Sequence, residues 1–172
     1  MNERRIMYMT YSLAENSELE VKGLPDSFSY EIDDFVDPSG AIAGEKLLDS
    51  AFVGGSDNVL YYLVVFDIRG FNKEEYALEH GQKLLGYVST ARINSPHLRS
   101  FYCGTGMPIV ALVADNSLAI KLMTNERFEH LRFALARQSD DRVVVDLESV
   151  IDSSSLSRLI RQSAERTRER RV

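Results

Sequence analysis

Short stretches of alternating or continuous apolar residues recur along the chain and predict the strands of a sheet. Alternation of apolar and polar positions predicts strands at 5–12 and 27–36, and a weaker one at 19–22. The segment from Val59 to Ile68 is apolar at nearly every position, which is typical of a central strand covered on both faces. Three further strands are expected, at 98–103, 108–114 and 142–147.

Apolar residues at helical spacing predict several helices between these strands. A short helix is expected at 41–52 and a long one at 73–93. Asn125 can cap a further helix at 126–138. A last helix is expected to begin at Asp152 or Ser153, whereas 118–123 fits either an additional strand or the start of a helix.

The order of these elements predicts an α+β fold. From Val59 onward it is strand, helix, strand, strand, helix, strand, the order of a ferredoxin-like βαββαβ core over about 59–148. N-terminal strands and a short helix are added before this core, and a C-terminal helix follows it. With 172 residues, 44% of them hydrophobic, we expect a single domain over 1–172. Its parts would be an acidic extension (1–57), the core (58–150) and an Arg-rich helix (152–172).

Charge is unevenly distributed along the chain. The formal net charge is −6, which makes nucleic-acid binding unlikely because an acidic protein repels phosphate backbones. Residues 14–57 hold eleven acidic side chains against two lysines, and residues 157–172 hold six arginines against two glutamates. These segments are either a solvated acidic face and a frayed tail, or a tail that docks on an acidic surface of this protein or of a partner.

Cysteine content and hydropathy suggest a cellular setting. Cys103 is the single cysteine, so no internal disulfide is possible, and a reducing compartment is the simplest environment. No apolar run approaches the roughly 20 residues that span a bilayer, and the N-terminus lacks a continuous apolar signal region. We therefore expect a cytoplasmic protein with no membrane segment.

Chemical interest centres on VVFDIRGFN, residues 64–72, where a carboxylate ends an apolar strand. The stretch resembles the first metal-binding strand of class III nucleotidyl cyclases, an aspartate followed by Ile, any residue, Gly and Phe. The weaker likeness of FYCGTGMPIVALV and EHLRFALARQ to later elements extends the resemblance over about 59–147. The resemblance implies a ferredoxin-like palm that holds Mg²⁺ on a nucleoside triphosphate through Asp67 and the Ile68 carbonyl.

The same resemblance implies further site residues and also shows departures. Nucleotide contacts would come from Ile68, Gly70, Phe71, Gly104, Thr105 and Gly106. Thr105 stands where the family carries its second metal-binding aspartate, so Asp115 is the candidate for a second metal ligand. The family's later catalytic elements have no counterpart, so an active cyclase is not expected and catalytic residues are unknown.

Asp67 also has a purely structural interpretation. A carboxylate at the end of a strand can accept backbone N–H groups of the following turn and so cap the loop before the next helix. Arg69 could then pair with Asp67 or face solvent.

Two functions follow from these patterns. We favour a non-catalytic regulatory or binding domain that acts through a protein partner or self-association, with the acidic N-terminal third and the Arg-rich tail as its contact surfaces. The alternative is a metal-dependent, nucleotide-binding, cyclase-like palm centred on Asp67, in an intact or a degenerate form.

Overall fold

Seven strands form one sheet, with helices between them. The structure is a computed structural model that describes residues 5–14, 18–24, 31–36, 59–71, 73–90, 108–139 and 141–152. The strands are β1 (Arg5–Ser12), β2 (Leu19–Lys22), β3 (Glu31–Val36), β4 (Val59–Asp67), β5 (Ile109–Val113), β6 (Arg132–Ser139) and β7 (Arg142–Asp152). The helices are α1 (Glu74–Thr90) and α2 (Asn116–Met123), with a single 3₁₀ turn at Glu126–Phe128. In these parts of the chain, no helix is long and apolar enough to cross a bilayer.

The sheet is mixed, and most of it is parallel. Its strand order is β2-β7-β6-β5-β4-β1-β3. The five strands from β6 to β3 in this order run parallel to one another. β7 is antiparallel to β6, and β2 is parallel to β7. Because parallel neighbours end at the same side of a sheet, the carboxyl ends of β1, β3, β4 and β5 lie along one edge.

Several predicted elements are confirmed. The strands expected at 5–12, 19–22 and 108–114 are present as β1, β2 and β5. The continuous apolar run after Val59 forms β4, and every residue from Tyr62 to Asp67 is buried. The long predicted helix is α1. The segment 118–123, which was compatible with strand or helix, belongs to α2.

The helix predicted at 126–138 is wrong. Asn125 does act as a cap, since its side chain accepts a hydrogen bond from the Arg127 backbone N–H at 3.0 Å, but it caps only the 3₁₀ turn. The chain then forms β6 between β5 and β7. A short apolar run fits both a helix and a strand, and here pairing on both sides and burial of Phe133 and Ala134 decide for the strand.

The ferredoxin-like arrangement is not confirmed. It required 98–103 and 108–114 to form a hairpin, whereas the described neighbours of β5 are β4 and β6, both parallel to it. The segments 98–103 and 41–52 and the C-terminal helix lie outside the described residues. Asp152, considered as a helix cap, is the last residue of β7. What the described elements establish is a mixed α and β fold.

Each face of the sheet has its own apolar core because strand residues alternate between faces. On the face that is covered by the helices, the outer face, Val64 and Phe66 of β4 join a cluster with residues of α1 and α2. On the opposite face, the inner face, Leu63 and Val65 join a cluster that consists of strand residues and their neighbours. Helices therefore pack on one side only of the described sheet.

The sheet curls so that its inner face is concave. β2 and β3 are its opposite edges. Leu19 of β2 and Ile32 of β3 nevertheless line the same cavity, together with Val65 of the central strand β4. Two edges of a flat seven-stranded sheet would lie six strand spacings apart, roughly 28 Å. The curl is therefore what creates a partly open cavity on the inner face.

Candidate functional site

Asp67 lies at the carboxyl end of β4, and the sheet explains its burial. The strand register places it opposite Ser12, the last residue of β1, on one side and opposite Val113 of β5 on the other. Asp67 is only 7% exposed. A carboxylate that is this deeply buried needs hydrogen-bond partners.

Arg69 supplies those partners. Its Nε lies 3.0 Å from Asp67 Oδ1 and its Nη2 lies 2.8 Å from Asp67 Oδ2, a bidentate ion pair. The Arg69 backbone N–H also donates to Oδ1 at 3.1 Å, so Asp67 caps the turn as well. The hydrogen bond to Asp67 raises the pKa of the Arg69 guanidinium against the opposing effect of its burial. Both structural roles foreseen for Asp67 and Arg69 are therefore present.

The turn after β4 is built for this contact. Gly70 has φ +98°, a backbone conformation that residues with a Cβ rarely adopt. The Ile68 backbone N–H donates to the Val113 carbonyl at 3.0 Å, which joins the start of the turn to β5. The Ile68 side chain is buried in the outer core, and the ring of Phe71 lies 4.9 Å from that of His80. Ile68, Gly70 and Phe71 were predicted to contact a nucleotide, and each of them has a structural role in or beside this turn.

Metal binding at Asp67 would have to compete with Arg69. Oδ1 already accepts two N–H groups and Oδ2 accepts one. Asp115, the second predicted ligand, is exposed and caps α2, with its Oδ1 3.3 Å from the Ser117 backbone nitrogen. Among the described residues, no group of three or more His, Cys, Asp or Glu side chains could hold a metal ion. The turn at 104–106 lies outside the described residues, so the nucleotide site stays a prediction.

The inner face carries a cavity of about 130 Å³ that sequence reasoning did not identify. Its polar lining comes from Tyr8, Thr10, Ser12, Asp34 and Asp67, and its apolar lining includes Leu19, Ile32 and Val65. Alternation and register explain this set, because Thr10 is opposite Asp34 on one side and opposite Val65 on the other. Neighbouring side chains on one face of three strands thus meet where the sheet curls.

Asp34 differs from Asp67 in how its charge is compensated. The Thr10 hydroxyl donates a hydrogen bond to Asp34 Oδ1. The ion pairs among the described side chains do not include Asp34, whereas Asp67 has Arg69. The pKa of the Tyr8 phenol is raised, first by burial and second by the negative charge of Asp34. Asp34 therefore brings an acidic, solvent-exposed side chain to the cavity without a cationic partner among the described residues.

One signal in the sequence could have pointed to this cavity. Thr10 and Asp34 are polar residues within predicted strands, on the same side of their strands as the apolar Tyr8 and Ile32. Polar residues on an otherwise apolar strand face indicate a polar site. That β1 and β3 are neighbours, however, cannot be inferred from their spacing along the chain.

Comparison with known proteins leaves the function to be argued from this geometry. No protein-family model matches the chain, and no curated protein or solved structure matches it significantly. The resemblance to the class III cyclase palm therefore rests on the residues that suggested it.

Proposed function

We propose that this protein is a non-catalytic, ligand-binding regulatory domain whose ligand occupies the cavity on the inner face of the sheet. The observation that carries the proposal is the composition of that cavity. It combines apolar walls with a few convergent polar atoms, the combination that small-molecule sites use for affinity and for orientation.

The volume sets the size of the ligand. A cavity of about 150 Å³ in another protein accommodates benzene, and about 30 Å³ is the share of one water in the liquid. The 130 Å³ here suits a group of about six heavy atoms, or about four waters. A nucleoside triphosphate is far larger, so only part of such a molecule would enter.

The position of the cavity supports a regulatory role. Leu19 and Ile32 belong to the two edge strands, which are far apart in the order of the sheet. A ligand that contacts both side chains stabilises the curled arrangement relative to a more open one. The proposed output is contact with a protein partner or a second copy, through the acidic N-terminal segment and the Arg-rich tail.

The support for a non-catalytic role is that Asp67, the predicted metal ligand, already has a structural partner. Both of its oxygens accept hydrogen bonds from Arg69. A general base or metal ligand needs a lone pair that can face its substrate or ion.

Filling the mouth of the cavity tests the proposal. Ile32 is 58% exposed, so Ile32→Trp adds bulk there with little effect on the core. Ile120→Trp is the matched control, since Ile120 is 41% exposed on α2 and does not line the cavity. We expect ligand-observed NMR with neutral, cationic and anionic fragments to find binding that Ile32→Trp removes and Ile120→Trp retains. The proposal is wrong if every bound fragment binds Ile32→Trp and Ile120→Trp with equal affinity. It is also wrong if no fragment binds the unaltered protein.

A metal-dependent nucleotide-binding palm with a ferredoxin-like core is the second candidate. One observation favours it: Asp67 and Asp115 follow adjacent parallel strands, and Val113, the register partner of Asp67, is two residues before Asp115. Carboxyl ends of parallel strands are common ligand sites. Mg²⁺ with a nucleoside triphosphate should then raise the melting temperature, and Asp67→Ala should abolish the rise. Absence of a rise at millimolar concentrations would exclude this candidate.

A further inference from the structure

We propose that the cavity binds a primary ammonium group, held by Asp34 against the ring of Tyr8. The inference rests on the proposed function, because it assigns a ligand class to the same cavity. Its basis is the match between the charge and hydrogen-bond donors of such a group and the charge and acceptors that the cavity offers.

The charge balance of the lining favours a cation. Of the two carboxylates, Asp67 is neutralised by the bidentate contact with Arg69. Asp34 is exposed to solvent, and among the described contacts it has the hydrogen bond from Thr10 and no cationic partner. Glu18 Oε2, 4.0 Å from Arg69 Nη1, adds further negative charge near the carboxyl end of β4. An anionic ligand would be repelled, and a cation would supply the missing charge.

The hydroxyl protons of Thr10 and Ser12 are already used. The Thr10 hydroxyl donates to Asp34, and the Ser12 hydroxyl donates to the Ala14 carbonyl at 2.6 Å. Each hydroxyl has one proton, so both oxygens can only accept a further hydrogen bond. Together with Asp34 they present acceptors. A primary ammonium has three donors and no acceptor, which makes it the complementary group.

Tyr8 provides an aromatic wall beside the acid. Burial and the charge of Asp34 both raise its pKa, so the phenol stays neutral at ordinary pH. A cation within about 6 Å of an aromatic ring is attracted to the face of that ring. An aromatic ring and a carboxylate lining the same cavity are therefore suited to a cationic nitrogen.

Four ligands that share a linear four-carbon chain test the assignment on the unaltered protein. They are n-butylammonium, n-butanol, butyrate and butyltrimethylammonium, compared by ligand-observed NMR titration. We expect n-butylammonium to bind about 2- to 5-fold more tightly than n-butanol, as an ion pair with an exposed carboxylate implies. Butyrate should not bind, and butyltrimethylammonium, which has no N–H donor and a bulkier head group, should bind more weakly than n-butylammonium.

Asp34→Asn then identifies the group responsible. Asparagine keeps an oxygen that can accept from Thr10 but removes the charge, so binding of n-butylammonium should weaken about 2- to 5-fold. Asp141→Asn is the matched control, because Asp141 is exposed in the turn between β6 and β7. This control should bind n-butylammonium as the unaltered protein does.

The outcomes separate the ligand class from the function. Equal binding of n-butylammonium by Asp34→Asn and Asp141→Asn overturns the assignment, as does a preference for n-butanol or butyrate. If n-butanol or butyrate binds more tightly than n-butylammonium and Ile32→Trp removes that binding, the cavity is a ligand site of another class. If none of the four ligands binds, the ammonium assignment is wrong, and the fragment screen against Ile32→Trp decides on the function independently. A larger effect of Mg²⁺ than of n-butylammonium, lost in Asp34→Asn, would identify a metal site instead.

Discussion

Replacement of glycine by alanine should change the stability of the protein in opposite directions at two positions of the same helix, α1. Gly81 is buried against α2, and a Cβ added there would lie 2.6 Å from Leu122 Cδ1 and 3.2 Å from Leu122 Cδ2. At Gly86, an added Cβ would have no other atom within 4 Å. Replacing each glycine by alanine therefore isolates the effect of packing from that of helix propensity.

The magnitudes follow from two terms. Alanine is better than glycine in a helix interior by about 1 kcal/mol, and this gain applies to both positions. At Gly81 the new methyl group must displace the end of the Leu122 side chain, which is completely buried in a close-packed interior. Overpacking of this kind costs about 1–3 kcal/mol. Gly86→Ala should thus raise the free energy of unfolding by about 1 kcal/mol, whereas Gly81→Ala should leave it unchanged or lower it by up to about 2 kcal/mol.

Urea unfolding followed by circular dichroism measures both variants, and thermal melts provide a second measure. For a chain of this size, 1 kcal/mol corresponds to a melting-temperature change of about 2–4 °C. The double variant Gly81→Ala/Leu122→Val checks the cause, because valine lacks both of the contacting δ carbons. It should be more stable than the sum of the two single effects predicts, by about 0.5–3 kcal/mol. If Gly81→Ala stabilises the protein as much as Gly86→Ala does, the proposed packing of α1 on α2 is refuted.

Three further predictions concern the carboxyl edge and the cavity. Arg69→Met should lower the free energy of unfolding by about 1–3 kcal/mol, because it leaves Asp67 buried without its main partner. Adding Asp67→Asn should recover part of this loss. If urea unfolding of the double variant shows no recovery, the pairing of Asp67 with Arg69 is contradicted. Gly70→Ala should lower the free energy of unfolding by about 1–2 kcal/mol in the same assay. The positive φ alone accounts for this loss, since the nearest atom to an added Cβ is 3.6 Å away. An unchanged stability would contradict the positive φ at Gly70. The phenol of Tyr8 should titrate above its ordinary pKa of about 10 in NMR of ¹³C-tyrosine-labelled protein, and Asp34→Asn should move it down but not fully, because burial is the larger cause. The stability linked to protonated Tyr8 is present below about pH 10 and is lost as pH rises through the higher pKa of the folded state; a Tyr8 pKa that Asp34→Asn leaves unmoved would refute this contact.

Local patterns were sufficient where burial alone determines structure. The strand after Val59 could be predicted because an unbroken apolar run of this length is stable only when both faces are covered, as they are in β4. The helix α1 could be predicted because its stripe of apolar residues recurs at helical spacing over many turns. A long, regular pattern of apolar residues fits either a strand or a helix but not both.

The same reasoning failed at β6, where the pattern was short. Phe128 and Leu131 are both buried, as a helical stripe would require, but they belong to the 3₁₀ turn and to the residue just before the strand. The next apolar residues, Phe133 and Ala134, are buried by pairing with β5 and β7. Partners that are distant in the sequence determined the structure there, so no local pattern could have revealed it.

For the candidate site, the sequence by itself determined that Asp67 ends a buried strand beside a glycine turn, and it offered both the cap and the pairing with Arg69. Only the tertiary structure decided that Asp34 and Thr10, 24 residues apart, lie opposite each other and face a cavity. The physical reason is that the cavity exists because the sheet curls. Curling depends on how all seven strands pair, and that pairing is a property of the whole sheet rather than of any segment.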